Sequence, residues 1–323
     1  MSKQKIVYKC SGHWIRRAWH KILYLVILAG FFLWYPGQNR LLMTAPEASS
    51  RALTIPFPMP PIASYPTNTT GVYPGEEVTS GGVVITDADS GVVLFQRNSF
   101  EPFFPASTTK ILTALVALDA YSLDDVMTVK TLENSGASMK LVAGERITVE
   151  NLLYGALIQS GNDAAWALAE NYPGGVGAFV SAMNEKARQL RLGQSHFTNP
   201  VGFDDSAHTM TPMDLARLAR VALSNKTLVK IVAIPQITIS DVTHTYFHNL
   251  TNVNALLGKI PGVGGIKTGW TQEAGENLVT LVERNGHRII IVVLKSKDRF
   301  ADTTKLIDWV FANHRWETIT NEQ

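Results

Sequence analysis

The chain is almost without cysteine: Cys10 is the single one among 323 residues. No intrachain disulfide can form, so a folded body must rest on its apolar core, which about 250 residues can supply. Acid is missing from the first 40 residues, which carry seven Lys or Arg. The rest holds 22 basic and 27 acidic side chains and sums to −5. A body of that sign lacks the basic face of a nucleic-acid binder, and no nucleic-acid partner is expected. The N-terminal apolar run, Ile22 to Tyr35, has 14 residues and falls short of the roughly 20 of a full bilayer span. Internal repeats are missing. So is a phosphate loop: residues 258–269 are glycine-rich, but Ile266 stands where a glycine would have to precede Lys267.

What is present begins with that N-terminal run. Lys3, Lys5, Lys9, Arg16, Arg17 and Lys21 precede it, which orients the positive side inward and the body outward. Its length suits a signal-peptide core, yet no small-x-small cleavage site follows, since Ala45 has Met43 two residues before it and Pro46 directly after. Trp19, Trp34 and Tyr35 suit membrane interfaces, and Lys21 could snorkel. The expected organisation is a basic cytoplasmic tail over 1–21 and an anchor, or alternatively a cleaved signal, over 22–43. Seven prolines among Ser, Thr and Ala then make residues 44–79 an extended stalk, or an arm packed on the body.

From Gly81 the pattern is strand-like. Val83–Ile85 and Val92–Phe95 flank a hairpin signal at Asp87–Gly91. Helices are predicted near Ala106–Ala120, Val149–Gln159, Ala164–Glu170, Ala178–Arg191 and Pro212–Leu223, the last with Thr211 as N-cap. Ile237–Phe247 alternates and reads as one strand. Short strands follow over Gly265–Gly269, Asn277–Glu283 and Arg288–Leu294, the last two joined by the tight turn Asn285-Gly286. A closing helix covers about Thr303–Asn313. Hairpins dominate and no βαβ alternation occurs. The expected fold is α+β, with an antiparallel sheet built from both ends of the chain and a helical subdomain, about 105–225, inserted between them. The folded domain is expected over 80–315, with a short tail over 316–323.

Three short motifs stand in order: Ser107-Thr108-Thr109-Lys110, Ser160-Gly161-Asn162 and Lys267-Thr268-Gly269. Alone each is weak. Roughly one S-x-x-K match is expected by chance in such a chain, and Ser2 to Lys5 supplies a decoy. The ordered set carries the information. Ser107 and Lys110 share a helix face. A serine hydroxyl needs a base to become a nucleophile, and a lysine can serve when burial or a second cation, here Lys267, lowers its pKa. Ser107 also lies early in its helix, where backbone N–H groups can face an oxyanion. Ser160-Gly161-Asn162 can relay a proton and hold a peptide bond, or simply end one helix and cap the next. Lys267 and Thr268 offer a cation and a hydroxyl to a carboxylate, and Gly269 lets a substrate backbone lie close; otherwise the segment is a surface turn.

With these motifs the chain resembles the serine-type D-alanyl-D-alanine carboxypeptidases, the low-molecular-mass penicillin-binding proteins, over about residues 80–313. The likeness extends to "PASTTKILTALVAL", "LLYGALIQSGNDAAWALAE", "GIKTGWTQEAGENLV" and the closing "KLIDWVF". It implies a β-lactamase/transpeptidase-like fold, Ser107 as acyl acceptor, Lys110 as base, and Ser160 with Asn162 as the second catalytic element. Lys267 and Thr268, and more loosely Arg299, would hold a terminal carboxylate. The oxyanion hole would use the N–H groups of Ser107 and Trp270. Peptidoglycan stem peptides and β-lactams are the implied ligands, with no cofactor. Many members add a C-terminal β-domain and an amphipathic anchor; since the chain stops soon after the closing helix, neither is expected.

Rival readings are weaker. A class A β-lactamase needs S-D-N and a deacylating glutamate loop, neither of which occurs. A penicillin-sensing receptor would need a cytoplasmic signalling domain. A catalytically dead wall-binding module sits badly with three intact motifs. His244 and His248 lie four apart, but in a strand-like segment that does not suggest a metal site. His196 and His208 read as loop hydrogen-bonders rather than a catalytic base.

Overall fold

The computed structural model describes residues 13–34, 64–133 and 135–317. The chain divides into two compact units, residues 1–59 and 60–323. Of the first, one helix is described, α1 (His13–Trp34). It contains the predicted apolar run up to Trp34. That part rises only about 20 Å at 1.5 Å per residue, against about 30 Å of hydrocarbon. Among the described residues no helix is long and apolar enough to cross a membrane. Cys10, residues 35–43 of the expected anchor, and residues 44–63 of the expected stalk lie outside the described residues.

The second unit runs β1 (Tyr65–Asn68), β2 (Gly82–Asp87), β3 (Val93–Arg97), α2 (Lys110–Ala120), β4 (Val126–Thr128), β5 (Arg146–Thr148), α3 (Val149–Leu157), α4 (Asn162–Glu170), α5 (Gly175–Gln189), α6 (Pro212–Ala222), α7 (Lys226–Val232), β6 (Gln236–Ser240), β7 (Phe247–Thr251), β8 (Val263–Thr271), β9 (Gly275–Arg284), β10 (His287–Ser296), α8 (Arg299–Asn313) and β11 (His314–Glu317). Five strands form the central antiparallel sheet in the order β3-β2-β10-β9-β8. It is α+β, and the sheet is assembled from both ends of the chain, with the helical block between β3 and β8.

Alternation along β10 explains the layering. Ile290, Val292 and Leu294 pack into the core shared with the helical block. Ile289, Ile291 and Val293 pack into a second core with Leu306, Ile307 and Val310 of α8. A strand covered on both faces reads as an unbroken apolar run, which is what Ile289–Leu294 is. The turn Asn285-Gly286 has positive φ at both residues, 54° and 77°, as a tight hairpin requires. Thr211 accepts from the Asp214 N–H and caps α6.

Two local expectations change, and the Pro-rich stretch takes one of its two readings in part. Ile237–Phe247 is a hairpin rather than one strand: β6 pairs with β7, and the chain reverses between them with His244 at φ 54°. The turn contains no glycine or proline; the Asp241 carboxylate builds it by accepting from Thr243, Thr245 and Tyr246 N–H groups. The closing helix begins at Arg299, because Asp298 accepts from the Phe300 and Ala301 N–H groups. Tyr65–Asn68, inside the Pro-rich stretch, pairs antiparallel with His314–Glu317.

Candidate active site

Ser107 occupies a 3₁₀ turn, Ala106–Thr109, that leads into α2. In such a turn residues three apart eclipse, so the Lys110 side chain lies over Ser107. Lys110 Nζ and Ser107 Oγ are 2.8 Å apart. Ala106 enters the turn with φ 49°, a left-handed conformation. Gly202, at φ 92°, lies so close that a Cβ there would stand 1.8 Å from the Ala106 carbonyl oxygen. Only glycine fits at that position.

Lys110 is fully buried. Its nitrogen also donates to Asn162 Oδ1 at 2.6 Å and to the Val201 carbonyl at 2.8 Å. Both of those partners can only accept. A neutral amine satisfies them with its two N–H groups and leaves its lone pair facing the Ser107 hydroxyl. Burial favours that neutral form: it pulls the Lys110 pKa from 10.5 to about 7, with Asp163 opposing.

Ser160 has φ 64° and is buried. Its hydroxyl accepts from Lys267 Nζ at 2.7 Å, and Lys267 donates as well to the Thr268 carbonyl at 2.9 Å. Lys267 is 1% exposed. Burial first, then the positive charges of Lys110 and Arg299, hold its pKa well below the ordinary value. Asn162 is the first residue of α4, yet its side chain makes no cap. It reaches Lys110 and donates to the Ser135 carbonyl at 2.6 Å.

The opposite wall is the edge strand β8. Gly269 presses against the serine turn: a Cβ there would stand 2.9 Å from the Pro105 carbonyl and 3.1 Å from both Ala106 Cβ and Ser107 N. Asn277 on the neighbouring strand donates to the Phe104 carbonyl at 2.9 Å and fastens sheet to turn. Thr268 is buried and Trp270 is 63% exposed at the rim. Arg299, at the start of α8, donates to the Gly269 carbonyl at 2.8 Å. Its Nε is buried with no hydrogen-bond partner among the described residues. Asp298 caps the helix and Asp302 accepts from Thr79, Ser80 and Ser296, so neither carboxylate takes the guanidinium.

A cleft of about 480 Å³ joins the walls, and its lining includes Ser107, Ser160, Asn162, Thr268, Gly269, Trp270 and Arg299. Lys110 and Lys267 lie beneath it. All nine residues expected from the motifs and the resemblance thus converge. Sequence reasoning missed the loop behind Lys110, where Asn199 Oδ1 accepts from the Val201, Gly202 and Phe203 N–H groups and so presents the Val201 carbonyl. His208 donates to or accepts from Thr109 at 2.9 Å, and burial draws its pKa down to about 4. Among the described residues, no group of three or more His, Cys, Asp or Glu could hold a metal.

The D-alanyl-D-alanine carboxypeptidase model matches residues 67–298. The chain belongs to the D-alanyl-D-alanine carboxypeptidase family. It is 35% identical over 241 residues to D-alanyl-D-alanine carboxypeptidase DacF of Bacillus subtilis, covering 72% of this chain and 62% of that protein. It is 34% identical over 284 residues to the D-alanyl-D-alanine endopeptidase of Pseudomonas aeruginosa, covering 84% and 89%. Among solved structures it resembles the Streptomyces K15 DD-transpeptidase, with TM-score 0.70 and 32% identity over 75% of this chain and 99% of the other. For a member of the D-alanyl-D-alanine carboxypeptidase family, the sheet-and-helical-block architecture is that of the transpeptidase fold.

Proposed function

We propose that this chain is a serine D,D-carboxypeptidase that removes the terminal D-Ala from peptidoglycan stem pentapeptides. The observation that carries the reading is the fully buried Lys110 amine, 2.8 Å from Ser107 Oγ. Ser107 Oγ attacks the carbonyl of the penultimate D-Ala while its proton passes to Lys110. The N–H groups of Ser107 and Trp270 receive the developing oxyanion. The peptide C–N bond then breaks, and the leaving amine takes a proton relayed through Lys110, Ser160 and Lys267. Water hydrolyses the Ser107 ester, with Lys110 again taking a proton. Arg299, Lys267 and Thr268 hold the terminal carboxylate. β-Lactams acylate the same serine.

One observation favours a second reading on cross-linked peptides. The Pseudomonas relative named an endopeptidase aligns over most of both chains. Pentapeptide and cross-linked dimer, incubated separately and read by mass spectrometry, separate the two. The body acts outside the cytoplasm in either case, with residues 22–43 as membrane anchor or cleaved signal; the basic residues before Ile22 support that orientation. The test of the chemistry is an intact-mass measurement with penicillin. One adduct is expected on the wild type and none on Ser107→Ala; an adduct that persists in the variant refutes the assignment.

A further inference from the structure

Behind the cleft lies a buried charge pair that the chemistry above does not use. His248 sits on the inner face of β7, 5% exposed, and Glu145 is 2% exposed. His248 Nε2 is 2.8 Å from Glu145 Oε1, and His248 Nδ1 is 2.9 Å from the Met139 carbonyl. The other carboxylate oxygen of Glu145 accepts from the Val142 N–H at 2.9 Å. A carbonyl only accepts, so Nδ1 carries a proton. Facing an ionised carboxylate, which only accepts, Nε2 must carry a second proton for the 2.8 Å contact to be a hydrogen bond. The hydrogen bond to Glu145 outweighs burial and holds the imidazole pKa above its ordinary value; Asp163 adds its negative charge in the same direction.

The segment gripped by this pair leads straight to the base. Asp163 accepts from the Met139 and Leu141 N–H groups at 3.0 and 3.1 Å, and from the Ser138 hydroxyl at 2.7 Å. Asn162 donates its backbone N–H to the Ala137 carbonyl at 2.7 Å and its side-chain NH₂ to the Ser135 carbonyl at 2.6 Å. Gly136 and Ala137 line the cleft. The carboxamide oxygen of Asn162 then faces Lys110.

We propose that Glu145 and His248 form a positioning clamp for acylation: they fix the Ser135–Leu141 loop, the loop fixes the Asn162 carboxamide, and the carboxamide aims the Lys110 nitrogen at Ser107. The pair touches neither substrate nor nucleophile. A charge removed from one side of a buried pair leaves the other uncompensated, so the loop shifts rather than merely losing a bond. The kinetic part rests on Ser107 being the acyl acceptor; the loop part does not.

The experiment uses the full chain, a fluorescent penicillin and hydrogen–deuterium exchange. In His248→Gln the saturating acylation rate is expected to fall about 10- to 100-fold, as for a base displaced by a fraction of an ångström to an ångström. The half-saturating concentration barely moves, and exchange rises in residues 135–145. A near-normal rate overturns the clamp, as does unchanged exchange. Should the variant fail to fold, nitrogen NMR of the wild type decides: both His248 ring nitrogens protonated at neutral pH supports the charged pair, and a neutral ring overturns it. If the wild type itself is not acylated at Ser107, the proposed function falls, while exchange and NMR still judge the clamp.

Discussion

The two walls of the cleft are built on different principles. The helical wall places Lys110 and Asn162 through a hydrogen bond between buried side chains, sets Ser107 on the turn beside Lys110, and holds Ser160 through Lys267 from across the cleft. The sheet wall places Lys267, Thr268, Gly269 and Trp270 through strand register and one close backbone approach, and it ends in an exposed tryptophan. Burial lowers the proton affinity of Lys110 on the helical side and of Lys267 on the sheet side, but of the two it is Lys110 that stands 2.8 Å from the Ser107 hydroxyl, as a base must. An open strand edge on the other side leaves room for an extended peptide, which is what a binding surface needs. The helical wall is therefore sensitive chiefly to side-chain chemistry, while the strand that carries Lys267 is sensitive to backbone shape as well.

That contrast can be broken most forcefully at Lys110. Lys110→Ala should cut penicillin acylation by about 10³-fold or more with circular dichroism unchanged, since general base catalysis contributes up to about 10⁴-fold. Near-normal acylation would mean that another group takes the proton. Next comes Gly269→Ala, whose methyl group would meet the Pro105 carbonyl and Ser107 N. Backbone cannot swing aside as a side chain can, so about a 100-fold loss of acylation is expected, with Lys110 chemistry formally untouched. A smaller effect is expected from Arg299→Ala. Loss of a charge-assisted contact costs about 1.5–3 kcal/mol, or roughly 10- to 150-fold in kcat/KM. It should fall on free-acid peptides and largely spare C-terminal amides; equal losses on both would remove Arg299 from carboxylate binding. The mildest test is pH. With the Lys110 pKa near 7, the amine is protonated below that value and cannot accept from Ser107. The acylation rate should fall toward tenfold per pH unit in acid and level off above about pH 8. A rate flat from pH 5 to 8 would contradict a lysine base.

Much of this was legible because it was local. Ser107 and Lys110 lie on one turn, and the apolar run Ile289–Leu294 announces a strand covered on both sides. The motif order anticipated which residues converge. What stayed hidden depends on partners far away in the chain or on backbone atoms. The Val201 carbonyl leaves no trace in residue type. Glu145 and His248 are 103 residues apart, and spacing drew attention instead to the His244–His248 pair, whose members turn out to face different partners, Ser240 and Glu145. The hairpin after α7 was unreadable because a carboxylate, not a glycine, builds its turn. Asp298 did offer a readable cap signal, and it explains why α8 starts early enough to place Arg299 at the cleft.

Ala106 and Ser160 share a property with a wider consequence. Both hold left-handed backbones without being glycine, at a cost of about 1–3 kcal/mol each. Whole-domain stability is typically about 5–15 kcal/mol. The catalytic turns therefore stay bent only because the surrounding core outweighs them. A mutation deep in that core, far from any substrate, erodes the same margin. In evolutionary terms, the folding of this chain and its chemistry draw on one shared reserve, so tolerance to change in the core is set partly by the geometry of the cleft.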